Sequence, residues 1–312
     1  LDTGATFGRR DMCSALDPAD PAPLGGKVAL TFDDGPHPTV TPQILATLRA
    51  NDVPATFLML GDQAQANPSI VTEIVNDPLF AIGNHSWDHA NLATLSLADV
   101  HAEIGDTQVT LDGFDPSHGW FRFPYGSSTC QTADIARDDY SYELVGWHVD
   151  SADWCYASGD LCTESEFWRV PPTYATDMVG YTLDQLDRFD GGIILMHDIH
   201  QYTADQLQGL IDAIEGAGYT FTSLTDTTAF PRQNNGDFYD FPWMGEACQP
   251  SADTCWQVEY NASCEPTTGG SGICALECDA VLRCTDRDGV APLFCADTGP
   301  AGRSTGFCLA EA

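Results

Sequence analysis

The sequence predicts an α/β fold: a parallel sheet of about seven strands, closed or nearly closed into a barrel, with a small disulfide-rich module at its C-terminal end. Three observations carry this expectation. From Lys27 to about residue 224, short apolar runs alternate with stretches of helical periodicity. Such alternation builds βαβ units, whose strands run parallel. After Leu224 the rhythm stops, and eight of the twelve cysteines crowd between Cys248 and Cys308. The 312 residues suffice for one large domain with a buried core and a small addition.

Taken in order, residues 1–25 are rich in Asp, Pro and Ala and contain Cys13. They read as an ordered but irregular arm, and a disulfide from Cys13 to Cys130 is one way to tie it down. Strands are expected at 28–32, 55–60, 80–83, 120–123, 144–148, 193–196 and 220–224, where apolar residues run together. Between them, 41–51 reads as a helix with Thr41 as cap and Pro42 at its first position. The stretches 63–76, 97–111 and 204–216 carry apolar residues at helical spacing. Between Trp154 and Tyr181 simple alternation breaks. Cys155 and Cys162 are placed to close a short loop by a disulfide, and Phe167, Trp168, Pro171, Pro172 and Tyr174 follow. This insertion either lines the cleft or packs on the barrel. The main domain is thus expected over 26–230, a turn-rich aromatic linker over 231–247, and a cysteine-rich module over 248–312. An even number of cysteines in a short Gly-rich segment implies four cross-links, which stabilise it more than any core does. That module either binds glycan or envelope, or is a passive cap.

Charge excludes several function classes. The formal net charge is −34, from 46 acids and 12 bases, and Lys27 is the sole lysine. Phosphate contacts need clustered Lys and Arg, so nucleic acid is not an expected partner. Anionic lipid would be repelled, and no apolar run reaches the ~18 residues of a membrane helix. Twelve cysteines without paired Cys-x-x-Cys motifs point to disulfides and an oxidising compartment, hence a secreted, periplasmic or cell-surface location. Leu1-Asp2-Thr3-Gly4 reads as a processed or trimmed start. A monomer is the default expectation.

The chemistry gathers around Thr31-Phe32-Asp33-Asp34-Gly35-Pro36. Two adjacent carboxylates at a strand end are costly unless a metal and a cation offset them. His85 and His89, spaced i, i+4, would share one face of a helical turn and bind one cation together. With Asp34 they make two nitrogens and one carboxylate, the ligand set of an open catalytic metal site. His197 closes the apolar run Ile193-Ile194-Leu195-Met196, so it too should stand at a strand end. His200 reads as a surface histidine and His37, His101 and His118 as structural or exposed, while His148 lies near enough to Asp150 to face the cleft.

Five segments in order make a specific resemblance: Thr31-Phe32-Asp33-Asp34-Gly35-Pro36, His85-Ser86-Trp87-Asp88-His89, Arg122-Phe123-Pro124-Tyr125-Gly126, Asp150-Ser151-Ala152-Asp153-Trp154 and Leu195-Met196-His197-Asp198. From about residue 26 to 225 the chain resembles the polysaccharide deacetylase family, the NodB-homology group of carbohydrate esterases known as family 4. The resemblance implies a distorted (β/α) barrel of about seven parallel strands, with the motifs at strand C-terminal ends. It implies a metal-dependent hydrolase that removes N-acetyl groups from N-acetylglucosamine glycans such as chitin, chitooligosaccharide or peptidoglycan. The metal would be zinc, or cobalt or nickel on the same ligands, held by Asp34, His85 and His89. By the same resemblance Asp33 is the general base, Arg122 holds it, and His197 is the general acid. Asp153 matches the partner of that histidine, with Asp150 a second candidate. Tyr125 would offer its backbone N–H to the oxyanion, and Trp154 and Leu195 would cup the acetyl methyl. Pro124 and Asp150 would also meet the substrate, and Asp198 would be structural. The third motif departs from the usual Arg-Pro-Pro-Tyr, with Phe123 in place of the first proline. An O-acetyl esterase acting on xylan and a catalytically silent glycan-binding surface protein are the competing functions.

Overall fold

A computed structural model describes residues 24–235, apart from 164, 168 and 232, and the backbone of five strands between 247 and 310. The N-terminal arm with Cys13, the bridge expected from it, most of the linker, and the cysteine pairings of the C-terminal module lie outside the described residues.

Strand β1 (Lys27–Asp33) is the axis of the sheet. It pairs in parallel with β2 (Ala55–Met59) on one side and β7 (Gly191–His197) on the other. All of it but Lys27 is buried, so it reads as a continuous apolar run rather than an alternating one. Beyond β2 come β3 (Phe80–Asn84), β4 (Trp120–Phe121) and β5 (Glu143–Leu144); beyond β7 comes β6 (Val149–Asp150). The short β8 (Thr220–Phe221) also pairs with β1, at its first two residues. Every pairing in this sheet is parallel, as the βαβ rhythm requires. The result is the expected distorted (β/α) barrel.

Its seam explains one correction. The run expected as a single strand over 144–148 is two strands. Val145 N–H donates to the Phe121 carbonyl on the β4 side, whereas His148 N–H donates to the Ile193 carbonyl on the β7 side. The chain therefore crosses between the two ends of the sheet here and cannot stay in one ladder. No pairing joins β5 to β6 among the described residues.

Helices α1 (Thr41–Ala50), α2 (Gly61–Ala66), α3 (Pro68–Val75) and α4 (Leu97–Asp112) occupy the first connections. Pro42 sits in the first turn of α1 as expected, but Val40, not Thr41, is the cap residue. The Thr41 hydroxyl instead accepts from His37 N–H and donates to Asp198. The single helix expected over 63–76 is broken at Asn67 (φ −125°), because the residue before Pro68 is pushed out of the helical region. After the short α5 (Cys130–Asp134) and α6 (Asp153–Tyr156), α7 (Met178–Phe189) starts at the end of the stretch where alternation was expected to break and is a helix that the expected set did not include. Its start is capped by Asp177, which accepts from Gly180 N–H. Helix α8 (Gln201–Gly216) begins three residues before the expected 204. The core lies between sheet and helices, where Phe32 stacks on Phe57 and packs with Ile44, Leu48, Ile194 and Leu210. Burying each such side chain contributes about 1.5–3 kcal/mol.

Cys155 in α6 is disulfide-bonded to Cys162 in the loop before α7. The loop is further tied down by Tyr156, whose hydroxyl donates to the Tyr174 carbonyl, and by Cys162 N–H donating to Ala175 O. In the C-terminal segment, β9 (Ala247–Cys248), β10 (Ala262–Pro266), β11 (Gly272–Asp279), β12 (Leu293–Ala296) and β13 (Thr305–Ala310) form a separate antiparallel sheet in the order β10-β11-β13-β12, with β9 on β11.

Candidate metal centre and cleft

Parallel strands place their C-terminal ends on one rim, and every motif arrives there. Asp33 ends β1, His85 follows β3, Arg122 follows β4, Asp150 ends β6 and His197 ends β7. Asp33 and His197 are direct neighbours across the β1–β7 ladder. They open on a cavity of about 540 Å³.

The carboxylate Asp33 is 2% exposed, and its Oδ1 accepts from Arg122 Nη1 at 2.7 Å. Arg122 is itself 1% exposed and also donates to Thr31 Oγ1 and the carbonyls of Val145 and Gly146. It thus locks β1 to the seam of the barrel and fixes which way Asp33 points. The other oxygen, Oδ2, lies 3.6 Å from His85 Nε2.

Asp34 turns away from the strand at φ 76°, a left-handed conformation that costs a non-glycine residue roughly 1 kcal/mol or more. Gly35 follows because a Cβ there would collide with the Asp198 carboxylate. His85 and His89 do not lie on a helical turn, contrary to their spacing. Residues 85–90 form a bend in which Ser86 (φ 72°) and His89 (φ 68°) are also left-handed. That bend is held by side chains. Asn84 Oδ1 accepts from Ser86 N–H at 2.8 Å, and Ser86 Oγ accepts from His89 N–H at 3.2 Å. Glu103 on α4 accepts from Trp87 N–H at 2.8 Å and from Asp88 N–H at 3.3 Å.

Among the described residues, Asp34, His85 and His89 are the one group whose ligand atoms converge closely enough to hold a metal ion, all within 4.8 Å of one another. The donor chemistry fits. His85 Nδ1 sits 2.8 Å from the Arg122 carbonyl, which can only accept, so Nδ1 carries the proton and Nε2 presents its lone pair. Asp34 Oδ1 is buried without a hydrogen-bond partner, 3.4 Å from Nε2 of both histidines. A buried orphan oxygen beside two imidazole nitrogens suits a cation between them. Burial would raise the Asp34 pKa, but His85 above all, then His197 and His89, hold it well below the usual carboxylate range.

On the neighbouring strand end, His197 Nδ1 lies 2.8 Å from Asp153 Oδ1, leaving Nε2 for the cavity. Asp153 is fully buried, and its Oδ2 accepts from His197 N–H and Thr203 Oγ1. Burial alone would lower the His197 pKa; the Asp153 charge and hydrogen bond, with smaller help from Asp34 and Asp33, carry it up to about 10. The choice left open between Asp150 and Asp153 thus falls to Asp153. Asp150 lines the cavity instead, its carboxylate accepting from Ala152 N–H and its pKa raised by burial.

Leu195 and Trp154 line the cavity as expected, Trp154 with its ring against Phe167. Tyr125 (φ 58°, 67% exposed) sets its ring edge on His89. Pro124, expected to meet substrate, is buried and does not line the cavity; Phe123, Tyr125 and Gly126 do. His200, read as a surface residue, is half-buried and lines the cavity, its ring 5.9 Å from that of His197. His148 turns into the core, where Nδ1 accepts from Ile193 N–H. Asp198 is structural as expected: it accepts from Thr41 Oγ1, and burial, then the charges of Asp34 and Asp33, push its pKa up to about 7. Two lining residues, Trp147 and Arg169, were not singled out from the sequence, while Phe167 belongs to the insertion for which a place on the cleft was one of the two expectations. Trp147 sits on the seam, and Phe167 and Arg169 come from the insertion. The structure takes the first of the two readings of the insertion, a wall of the cleft.

Residues 21–142 match the family model described as polysaccharide deacetylase. A solved family 4 carbohydrate esterase from Streptomyces lividans is 30% identical, and the match covers 64% of this chain and 91% of that one, at a TM-score of 0.50. The chain belongs to the polysaccharide deacetylase family. A solved peptidoglycan N-acetylglucosamine deacetylase is similar at 29% identity and a TM-score of 0.55, over 69% of this chain and 91% of that one. The peptidoglycan-N-acetylglucosamine deacetylase of Listeria monocytogenes is 33% identical over 218 residues, 69% of this chain and 41% of that protein. The chain thus spans about two fifths of that relative's length. In this polysaccharide deacetylase the five segments meet at one rim.

Proposed function

We propose that this polysaccharide deacetylase is a metal-dependent hydrolase that removes N-acetyl groups from N-acetylglucosamine glycans, peptidoglycan or chitin oligomers among them. The observation that carries this reading is the pairing, at neighbouring strand ends lining one cavity, of a pinned carboxylate beside a candidate metal site and a histidine held protonated by a buried partner.

Asp34, His85 and His89 would hold a divalent transition metal, zinc first and cobalt or nickel as alternatives. When bound, such a metal supplies Lewis acidity, polarising the acetyl carbonyl and easing deprotonation of water. The rest falls to this chain's own groups. Asp33 Oδ2 takes the proton from the attacking water, while Arg122 holds Oδ1 and fixes the carboxylate's orientation. The Tyr125 backbone N–H stabilises the carbonyl oxygen as it gains charge. His197 Nε2 gives a proton to the departing nitrogen as the C–N bond breaks, and Asp153 keeps that imidazole charged and oriented. Trp154 and Leu195 give the acetyl methyl an apolar wall. O-acetyl ester hydrolysis, as on xylan, would use the same groups with less demand on His197. The cysteine content supports a secreted, periplasmic or cell-surface location, with 248–312 an accessory module.

The test is acetate release from chitooligosaccharides, peptidoglycan fragments and acetylated xylan, with metal-stripped protein and after adding zinc. Zinc-restored release from the amide substrates is expected. Release from xylan alone would replace amide hydrolysis by ester hydrolysis, and no release by metal-loaded protein would favour a silent binding protein. A second expectation concerns the bend between the two histidines. Glu103→Ala frees two backbone N–H groups and should weaken zinc binding about tenfold by calorimetry, the scale seen when a group supporting a metal ligand is lost. Unchanged affinity would mean that the bend holds itself.

A further inference from the structure

The bend that carries His85 and His89 stands on a buried polar relay that the proposed chemistry does not use. Asn84, the last residue of β3, is fully buried, and its side chain faces two ways. Its Oδ1 accepts from Ser86 N–H at 2.8 Å, and Ser86 Oγ in turn accepts from His89 N–H. Its Nδ2 donates to the Ile104 carbonyl and to the Tyr142 hydroxyl oxygen, both at 3.0 Å. Tyr142 is buried with its ring against Phe121, and its hydroxyl lies 2.9 Å from His118 Nε2. His118 is buried as well, with Nδ1 2.7 Å from the Asp115 carbonyl. Tyr142 and His118 stand outside the five motifs, and neither is among the described residues that line the cavity.

Each hydrogen in this relay has one place to go. Asn84 Nδ2 can only donate, so the Tyr142 oxygen accepts there. The Asp115 carbonyl can only accept, so His118 Nδ1 carries a hydrogen. Asp112 Oδ1, 3.6 Å from Nδ1, is too far to take it. A ring with hydrogens on both nitrogens would donate to Tyr142 as well and strand the buried phenol hydrogen. The neutral ring instead accepts at Nε2, and Tyr142 donates to it. Both amide hydrogens of Asn84 are then placed, and the amide oxygen is left for Ser86. The relay thus has one polarity, from Asn84 through Tyr142 and His118 to the Asp115 carbonyl. It also joins the two ends of the sheet. His118 comes just before β4 and Tyr142 just before β5, whereas Asn84 ends β3 at the rim where the candidate ligands gather.

A fully satisfied buried network fixes one arrangement, whereas a partly satisfied one does not. Without the phenol hydroxyl, one Asn84 N–H is buried unpaired, and the amide that holds Ser86 loses one of its two anchors. We propose that Tyr142 and His118 are positioning residues for the metal ligands: they hold the Asn84 amide, which holds Ser86 in its left-handed turn and so sets His89 against His85 and Asp34. This rests on the proposed metal site and adds to it a support that none of the five motifs contains.

The experiment uses the intact chain and measures the zinc Kd by calorimetry, the visible spectrum of the cobalt-loaded protein, and the melting temperature without metal. Tyr142→Phe keeps the ring on Phe121 and removes only the hydroxyl. It should raise the zinc Kd about tenfold and change the cobalt spectrum, as expected when the support of a metal ligand is lost. His118→Leu leaves the phenol hydrogen unplaced and should act in the same direction. His118→Gln offers an acceptor to Tyr142 and an N–H to Asp115, and should bring the Kd back to within about threefold of the wild type. The control is Tyr140→Phe, which removes a hydroxyl that donates to the His101 carbonyl, off the relay, and should leave the Kd within about twofold. Equal Kd values in Tyr142→Phe and Tyr140→Phe would overturn the inference, as would a His118→Gln variant that binds zinc as weakly as His118→Leu. A lower melting temperature in Tyr142→Phe with wild-type zinc affinity would also overturn it and leave the relay to the fold alone. A wild type that binds no zinc would overturn the proposed metal site and this inference with it, whereas the variants decide the inference alone once the wild type binds.

Discussion

In a His197→Gln variant, acetate release from a chitooligosaccharide is expected to fall about a thousandfold, while hydrolysis of an activated phenyl acetate ester falls less than about tenfold. The asymmetry follows from the leaving groups. An amine must be protonated as it departs, whereas a phenolate leaves unaided. Gln cannot donate a mobile proton, yet it is close to the size of the imidazole and keeps a polar group facing Asp153. Equal losses on amide and ester would place His197 in substrate positioning rather than proton transfer.

The same pair predicts a pH dependence. The active form carries the proton on His197, so rate is lost as pH rises through the folded pKa. Asp153 is the main cause that raises this value from 6.5 to about 10, while Asp34 and Asp33 add less. A bound dication opposes the share due to Asp34, so the alkaline limb of kcat/KM is expected between those two values. Asp153→Asn removes the main raising cause and leaves burial opposed only by the smaller effects of Asp34 and Asp33, so the limb should move to lower pH. For stability the sign is the same. The raised His197 pKa contributes stability that is full below 6.5 and is lost as pH rises toward 10. Thermal melts of the wild type and Asp153→Asn between pH 6 and 10 should therefore converge at the alkaline end.

Much of this was legible in the residues. The strand before Asp33, the rim position of each motif and the convergence of Asp34, His85 and His89 follow from apolar runs and from the order of five short segments. What escaped has physical causes. The i, i+4 spacing of His85 and His89 is as compatible with a bend as with a helix, and left-handed Ser86 and His89 settle it: Asn84 and Ser86 accept from the N–H groups of Ser86 and His89, and the distant Glu103 accepts from those of Trp87 and Asp88. The crossing of the seam at 145–148 depends on which neighbour each N–H finds, a tertiary matter invisible in an apolar run. Trp147, Phe167, Arg169 and His200 reach the cavity because loops are laid over the rim, and loop paths are not periodic. Where a rule of chain chemistry did exist, at Asn67-Pro68, periodicity outvoted it wrongly.

Asp33→Asn is expected to cost about a thousandfold in kcat/KM on every substrate, amide or ester, while zinc affinity changes little. Only one oxygen of this carboxylate is committed, Oδ1 to Arg122, and Oδ2 stands 3.6 Å from His85 Nε2 at the candidate metal site. Asparagine can keep the first contact through its carbonyl and present an amide nitrogen in place of the second, with no lone pair to take a proton. The buried Arg122 loses its counter-charge, a change that costs about 3 kcal/mol or more when nothing else satisfies the cation. Here Thr31 Oγ1 and the carbonyls of Val145 and Gly146 remain as acceptors, so the melting temperature should fall without loss of the fold. Asp150→Asn is the control, since Asp150 lines the same cavity but touches neither Arg122 nor the three candidate ligands in any described contact. If Asp33→Asn keeps kcat/KM within about tenfold while Asp150→Asn abolishes it, the proton goes to Asp150. The Arg122–Asp33 pair would then serve only to lock the first strand to the seam. Loss in Asp33→Asn with normal zinc binding, and near-normal rates in Asp150→Asn, would leave Asp33 Oδ2 as the acceptor, because among the described lining residues no other carboxylate is held by a buried arginine beside the candidate ligands.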